Sequence, residues 1–272
     1  MRLGNFTTSD GCRLVYAERG EGPAVLWQHG LGATRAQPDE VFPDAPARRR
    51  ITLECRGHGE SELGDPAALS IARFADDALE LLDHLGVERA TVGGISLGAA
   101  IAMRLGALRP QRVTGMILAR PAWVDAKFPP PQRLNALAGA LLRDFGAAEG
   151  KKRMAAVPEF VALQAASPDN AASLLGYFDR PRPETTVALL THIPRDGPGV
   201  QRATLQAVRV PTLVIANGED VVHPVGYAED LAALIPSARL TIVTSKTVDR
   251  AAYVREFRTA VAGFLARDEA GA

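Results

Sequence analysis

A serine stands where a strand is expected to pass into a helix, within the sequence Gly-Gly-Ile-Ser-Leu-Gly at residues 93–98. The apolar run Ala90–Gly93 predicts a strand and Leu97–Leu108 has helical spacing, so Ser96 is expected on a sharp strand-to-helix turn. Such a turn projects the serine oxygen above the sheet, and the helix N-terminus favours negative charge that develops beside it. The motif therefore predicts a nucleophile, and the alternative is an N-cap serine in an ordinary turn.

A second candidate for chemistry is the loop His-Gly-Leu-Gly at residues 29–32, which directly follows the apolar run Ala24–Gln28. Loops after the strands of a parallel sheet lie at the edge where ligands bind. Backbone N–H groups at this place can donate hydrogen bonds to an oxyanion. We therefore expect His29, Gly30 and Leu31 to line the site that contains Ser96.

Together these motifs resemble the α/β-hydrolase family, and the resemblance extends over nearly the whole chain. His29-Gly30 resembles the family's oxyanion loop, and residues 56–61 (Arg-Gly-His-Gly-Glu-Ser) resemble its Arg-Gly-x-Gly-x-Ser turn. Gly-Glu-Asp at residues 218–220 resembles the acid loop. The resemblance implies Ser96 as nucleophile, Asp220 as acid, and the amides of Leu31 and Leu97 as the oxyanion hole.

The sequence departs from the family at the catalytic histidine, which the family places after the last strand. The five histidines are His29, His58, His84, His192 and His223, and residues 244–249 read Thr-Ser-Lys-Thr-Val-Asp. Three groups stay open as the base: His223 on the acid loop, His192, and Lys246 at the place of the missing imidazole. A lysine acts as a base only if its pKa is lowered, so an ion pair between Lys246 and Asp220 is the more ordinary expectation.

Apolar runs alternate with helical segments along the chain, which predicts an α/β fold: a mostly parallel central sheet with helices on both faces. The predicted strands are Arg13–Glu18, Ala24–Gln28, Ile51–Glu54, Ala90–Gly93, Val113–Ala119, Pro211–Ala216 and Arg239–Thr244. The predicted helices are Ile71–Leu85, Leu97–Leu108, Val225–Leu234 and Ala251–Leu265.

Between residues 125 and 206 the strand pattern stops, and Ala- and Leu-rich helical pieces are broken by prolines. We expect an inserted helical cap at 125–206 and a core formed by 1–124 and 207–272, with Arg120 and Trp123 at the hinge of the cap. Within the cap, Phe128, Phe160 and Tyr177 are among the residues that suggest an apolar pocket, although ordinary packing of the cap is the commoner explanation for such residues.

The composition excludes several classes of function. Thirty-one basic and 31 acidic side chains balance, which excludes the charge of a typical nucleic-acid binder. Two cysteines, no apolar start resembling a signal peptide and no long apolar span predict a soluble cytoplasmic protein without membrane partners. Spacings typical of metal, phosphate or dinucleotide sites are missing, so no cofactor or metal is expected.

Two hypotheses for function remain. The first is a cofactor-free, esterase-like hydrolase of a small ester, lactone or thioester with an atypical base. The second is a non-hydrolytic ligand-binding protein, or a lyase or isomerase, with the same pocket. The partner in either case is a small molecule, and the sequence leaves the oligomeric state open.

Overall fold

The computed structural model describes residues 1–44 and 47–269 and contains one eight-stranded sheet. The strands are β1 (Arg2–Thr7), β2 (Arg13–Arg19), β3 (Ala24–Gln28), β4 (Arg49–Leu53), β5 (Ala90–Ile95), β6 (Val113–Ala119), β7 (Thr212–Asn217) and β8 (Ala238–Val243). Their order in the sheet is β1-β2-β4-β3-β5-β6-β7-β8. β2 pairs antiparallel with both β1 and β4, and the strands from β4 to β8 are parallel.

Ten α-helices accompany the sheet within the described residues. They are α1 (Pro38–Val41), α2 (Ile71–His84), α3 (Leu97–Leu108), α4 (Arg133–Ala155), α5 (Pro158–Ala166), α6 (Pro168–Leu175), α7 (Pro183–His192), α8 (Arg202–Ala207), α9 (Val225–Leu234) and α10 (Arg250–Glu269). The part of the chain that is described holds no helix long and apolar enough to cross a membrane.

The predicted fold class is confirmed, because the sheet is mostly parallel and both of its faces are covered by helices. The residue pairs Leu26/Trp27 on β3 and Val214/Ile215 on β7 show this, since neighbours on one strand point to opposite faces. One residue of each pair packs in the core with α2, α3 and α9, and the other packs with α10.

All seven predicted strands are present, with bounds that differ by at most two residues. β1 was not among the predicted strands, and Phe6 is its only buried side chain. Since β1 is an edge strand that pairs only with β2, its hydrophobic alternation is weak. The structure therefore adds one antiparallel edge strand to the predicted sheet.

The segment between β6 and β7 is helical, and it contains α4 to α8 without a strand. It has its own apolar cluster, in which Phe160, Leu174 and Phe178 are buried. Leu31 of the loop after β3 packs against this cluster and also against the core beneath the sheet. The helical segment therefore contacts the edge of the sheet where the candidate residues lie.

Candidate active site

Ser96 lies between β5 and α3 in a backbone conformation that is rare for a side-chain-bearing residue, with φ 58° and ψ −106°. Its N–H donates to the Ala119 carbonyl at 3.0 Å, which fixes the turn against β6. The turn also needs a glycine at position 98, because a Cβ there would lie 2.3 Å from the Gln28 carbonyl oxygen. The half-buried hydroxyl makes no hydrogen bond with the part of the chain that the structure describes.

The loop after β3 brings backbone amides to the same edge. The Gly30 N–H donates to Gln37 Oε1 at 2.7 Å, and the Gly32 N–H donates to His58 Nε2 at 3.0 Å. The Leu31 N–H has no acceptor in residues 1–44 and 47–269. Leu97 is the first residue of α3, so its N–H has no partner within the helix. Of the predicted oxyanion residues, Leu31 and Leu97 thus keep amides for a ligand, while the amide of Gly30 is engaged.

His29 is fully buried, and both of its ring nitrogens bind the backbone. Nε2 accepts from the Cys55 N–H at 3.1 Å, so the proton lies on Nδ1, which donates to the Gly30 carbonyl at 2.8 Å. Burial lowers the pKa of His29 to about 4. The ring is therefore neutral at neutral pH, and it ties the loop after β3 to the loop after β4.

His58 makes a similar link from the opposite side. Its Nδ1 donates to the Arg56 carbonyl at 3.0 Å, and its Nε2 accepts from Gly32. The centroids of the His58 and His29 rings are 4.7 Å apart, and burial lowers the pKa of His58 well below its ordinary value. With both nitrogens engaged, neither imidazole is free to act as a base.

The acid loop brings together Asp220, His223 and Arg120. His223 Nδ1 lies 2.8 Å from Asp220 Oδ1, and the Asp220 side chain is 1% exposed. Arg120 Nε donates to the second oxygen, Oδ2, at 2.7 Å, and Arg120 Nη2 lies 3.2 Å from His223 Nδ1. Because an ionised carboxylate only accepts, Nδ1 carries the proton and donates it to Asp220 Oδ1, and Nε2 is left as the basic nitrogen. Arg120 and Nδ1 are then both donors, so their 3.2 Å contact is not a hydrogen bond.

The charges of this group follow from burial and pairing. Burial raises the pKa of Asp220, but the neighbouring His223 and Arg120 outweigh it and hold that pKa well below the ordinary range. Burial lowers the pKa of His223; Asp220 raises it and the Arg120 cation lowers it again, so the net direction is down. The arrangement is an ionised carboxylate that orients a neutral imidazole, which is the protonation state that a general base requires.

The expected ion pair between Lys246 and Asp220 is wrong. Lys246 Nζ lies 3.1 Å from Glu40 Oε1, and the same carboxylate pairs with Arg250 at 2.8 Å. The physical reason is that Asp220 already has a cation, since Arg120 occupies its second oxygen. Lys246 is therefore held by Glu40, a partner that the sequence analysis did not consider.

Arg120 was expected at a hinge, and its role beside the acid was missed. The signal is its position immediately after β6, because residues that follow parallel strands converge at one edge of the sheet.

His192, the third group considered as a base, is the last residue of α7 in the helical segment. No group of three metal-ligating side chains occurs among the described residues.

Comparison with known proteins agrees with this architecture. A profile of the α/β-hydrolase fold matches residues 23–246, which is more than half of the chain. The 2-hydroxymuconate semialdehyde hydrolase of Pseudomonas putida is 26% identical over 249 residues, 88% of this chain and 85% of that protein.

Two solved structures are similar over their whole length. A hydrolase from Pseudomonas aeruginosa PA01 has a TM-score of 0.74 and 27% identity, covering 97% of this chain and 98% of the other. Est816, described as an N-acyl homoserine lactone degrading enzyme, has a TM-score of 0.71 and 26% identity, covering 96% and 100%. The similar proteins thus include two named as hydrolases and one described as a lactone-degrading enzyme.

Proposed function

We propose that this chain, which belongs to the α/β-hydrolase fold family, is a serine hydrolase of a small ester, lactone or thioester that needs no cofactor. Ser96 is the nucleophile, His223 is the general base, and Asp220 orients the base. The observation that carries the proposal is the 2.8 Å contact between His223 Nδ1 and Asp220 Oδ1, which leaves Nε2 unprotonated.

In the proposed reaction, Ser96 Oγ attacks the carbonyl carbon of the substrate while its proton passes to His223 Nε2. The amides of Leu31 and Leu97 donate to the oxyanion of the tetrahedral intermediate. The intermediate then expels the leaving group, which takes the proton from His223, and an acyl-Ser96 ester remains. Water deprotonated by His223 hydrolyses this ester and regenerates the serine.

Lys246 is the less suitable base. Its Nζ is held by the Glu40 carboxylate, with 3.1 Å between Nζ and Oε1, and Arg250 pairs with the same carboxylate. His223 is different, because it contacts the acid Asp220 itself and its pKa is lowered by burial and by Arg120. The contrast between these two environments is the reason for assigning the base to His223.

The helical segment 125–206 serves in this proposal as a cap over the site. Support comes from the Tyr177 hydroxyl, which donates to the Leu31 carbonyl at 3.4 Å, and from the packing of Leu31 against the cluster of the segment. The lactone-degrading relative at 26% identity supports an ester-like substrate class.

The test is covalent labelling with a fluorophosphonate probe, followed by peptide mapping. Wild-type protein is expected to be labelled at Ser96, and Ser96→Ala to be unlabelled. His223→Gln is expected to slow labelling by about 10²–10⁴-fold, the usual contribution of a general base. Lys246→Met, the matched control, is expected to be labelled at the wild-type rate. Wild-type protein that remains unlabelled, or a Lys246→Met variant as slow as His223→Gln, would contradict the assignment.

A second candidate function is non-hydrolytic: ligand binding, or lyase or isomerase chemistry in the same pocket. The observation in its favour is the segment after β8, which carries Lys246 and no histidine. A protein that releases bound esters unchanged, with Ser96→Ala behaving as wild type, would support this candidate and refute the hydrolase.

A further inference from the structure

Arg180 places a positive charge against the oxyanion loop. It follows a short 3-10 turn, Gly176–Asp179, in the helical segment. Its Nη1 lies 3.1 Å from the point that a Cβ on Gly32 would occupy, and Nη2 lies 3.5 Å from the Gly57 carbonyl oxygen. Since Gly32 follows Leu31, the guanidinium lies beside the loop that holds the proposed oxyanion amide.

No carboxylate pairs with Arg180 among the residues that the structure describes. Burial lowers its pKa, and the neighbouring Arg182, which is also a cation, lowers it further. Arg120 is different, because Asp220 neutralises it at 2.7 Å. A partly desolvated guanidinium stays charged, so its lost hydration is uncompensated until an anion binds.

The ionisable side chains of Tyr177, His29 and His58 around Arg180 are neutral, so none of them neutralises its charge. Burial raises the pKa of Tyr177 to about 12, so its hydroxyl stays neutral. His29 and His58 are also neutral, since burial lowers their pKa values and the Arg180 cation lowers them further. Within the described residues, the positive charge that Arg180 supplies at the edge of the site beside Leu31 is therefore not compensated by a carboxylate.

Arg182, two residues further on, has a different role. Its guanidinium donates to the Gly59 carbonyl at 2.6 Å and to the Ser61 carbonyl at 3.1 Å. These contacts tie the helical segment to the turn after β4. Within residues 1–44 and 47–269, Arg180 makes a single long hydrogen bond, to the Gly57 carbonyl, so most of its five donors remain for a ligand.

We propose that Arg180 binds a carboxylate of the substrate, so that the bond cleaved at Ser96 belongs to a small acidic ester, lactone or thioester. The inference rests on the proposed function and specifies its substrate class. A guanidinium offers two parallel N–H donors to a carboxylate, which selects a planar anion in one orientation. A neutral ester of the same length lacks this contact.

The kinetic test compares monomethyl succinate with methyl butyrate, in which a methyl group replaces the free carboxylate. Hydrolysis is followed by titration of the released acid, with Ser96→Ala as the blank. In Arg180→Gln, kcat/KM for monomethyl succinate is expected to fall by about 10- to 100-fold, as for loss of a charged hydrogen bond. The value for methyl butyrate should change by less than about threefold. Arg180→Lys should recover part of the loss.

Arg195→Gln is the matched control, because Arg195 is an exposed arginine of the same helical segment. This substitution should leave kcat/KM for both substrates unchanged. If Arg180→Gln reduces the rates of both esters equally, the residue is structural and the inference fails. The inference also fails if wild-type protein prefers methyl butyrate.

A binding measurement separates this inference from the proposed function. Succinate is expected to raise the Tm of Ser96→Ala and to leave that of the Ser96→Ala/Arg180→Gln double variant unchanged. An equal shift, or none, in both variants would overturn the assignment of Arg180, whatever the fluorophosphonate labelling shows. A protein that is unlabelled at Ser96 but binds succinate through Arg180 would overturn the hydrolase and keep the anion site.

Discussion

The neutral, buried imidazole of His29 should make the fold sensitive to mild acid. Its pKa is lowered to about 4 by burial, whereas a histidine in an unfolded chain titrates near pH 6.5, about its ordinary value. Between these values the unfolded chain binds a proton that the folded chain does not. The stability that depends on the neutral His29 is therefore fully present above about pH 6.5, and the free energy of unfolding decreases as the pH falls toward 4.

The size of the effect follows from the two pKa values. Between pH 7.5 and pH 5.0, His29 alone removes about 2 kcal/mol of the free energy of unfolding. His58 acts in the same direction, since burial lowers its pKa also. Carboxyl groups whose pKa is lowered in the fold contribute little in this window, because their unfolded pKa values of about 4 lie below it. Asp77, whose pKa is raised by burial, acts in the opposite direction, and it is common to wild type and the His29 variant.

The assay is urea unfolding of wild type, His29→Asn and His84→Asn at pH 7.5 and pH 5.0. The amide of an asparagine can donate to the Gly30 carbonyl and accept from the Cys55 N–H without titrating. Between the two pH values, the free energy of unfolding of His29→Asn should therefore fall by about 2 kcal/mol less than that of wild type. His84 is exposed, and its replacement should leave the wild-type difference unchanged. If wild type and His29→Asn lose the same free energy, the reasoning from burial is refuted.

Two further changes test the geometry of the site. Arg120→Gln removes a cation that lowers the pKa of His223, so the acidic limb of the kcat/KM–pH profile should move to higher pH; an unmoved limb, or one displaced to lower pH, would contradict this account. Gly98→Ala places a Cβ 2.3 Å from the Gln28 carbonyl, which should cost about 1–3 kcal/mol of the free energy of unfolding and slow fluorophosphonate labelling. Gly226→Ala, where a Cβ meets nothing within 4 Å, is its control, and equal behaviour of the two variants would show that the turn tolerates a side chain.

The parts of the site that the sequence predicts best are those set by contiguous residues. Ser96 and Leu97 follow one strand and open one helix, so a local pattern is enough to place their backbone. The loop after β3 is similar, since the Leu31 N–H has no acceptor among the described residues and stays available for the role that the family resemblance implies. Even there, the engagement of the Gly30 amide by Gln37 depends on a side chain seven residues away and was not foreseen.

The charges around the site depend on contacts that no local pattern contains. Arg120 and Asp220 are 100 residues apart in sequence, and Lys246 and Glu40 are 206 apart. The sequence places each cation near the carboxyl edge of the sheet, but it does not specify which of these cations pairs with a given carboxylate. Which pair forms is decided by packing, so the pairing of Lys246 with Asp220 was a reasonable expectation and was wrong.

The position of His223 changes what the site requires of the rest of the fold. In the arrangement that the family resemblance implies, the acid and the base lie on different loops, whose relative positions must be maintained by the sheet. Here Asp220 and His223 share one turn between β7 and α9, and the His223 N–H also donates to Asp220 Oδ1, at 3.1 Å. The geometry of the proposed acid–base pair is thus local, and the loop after β8 is free of that constraint. Substitution of Lys246 should then affect the contacts of α10 with Glu40 and leave the His223–Asp220 contact intact.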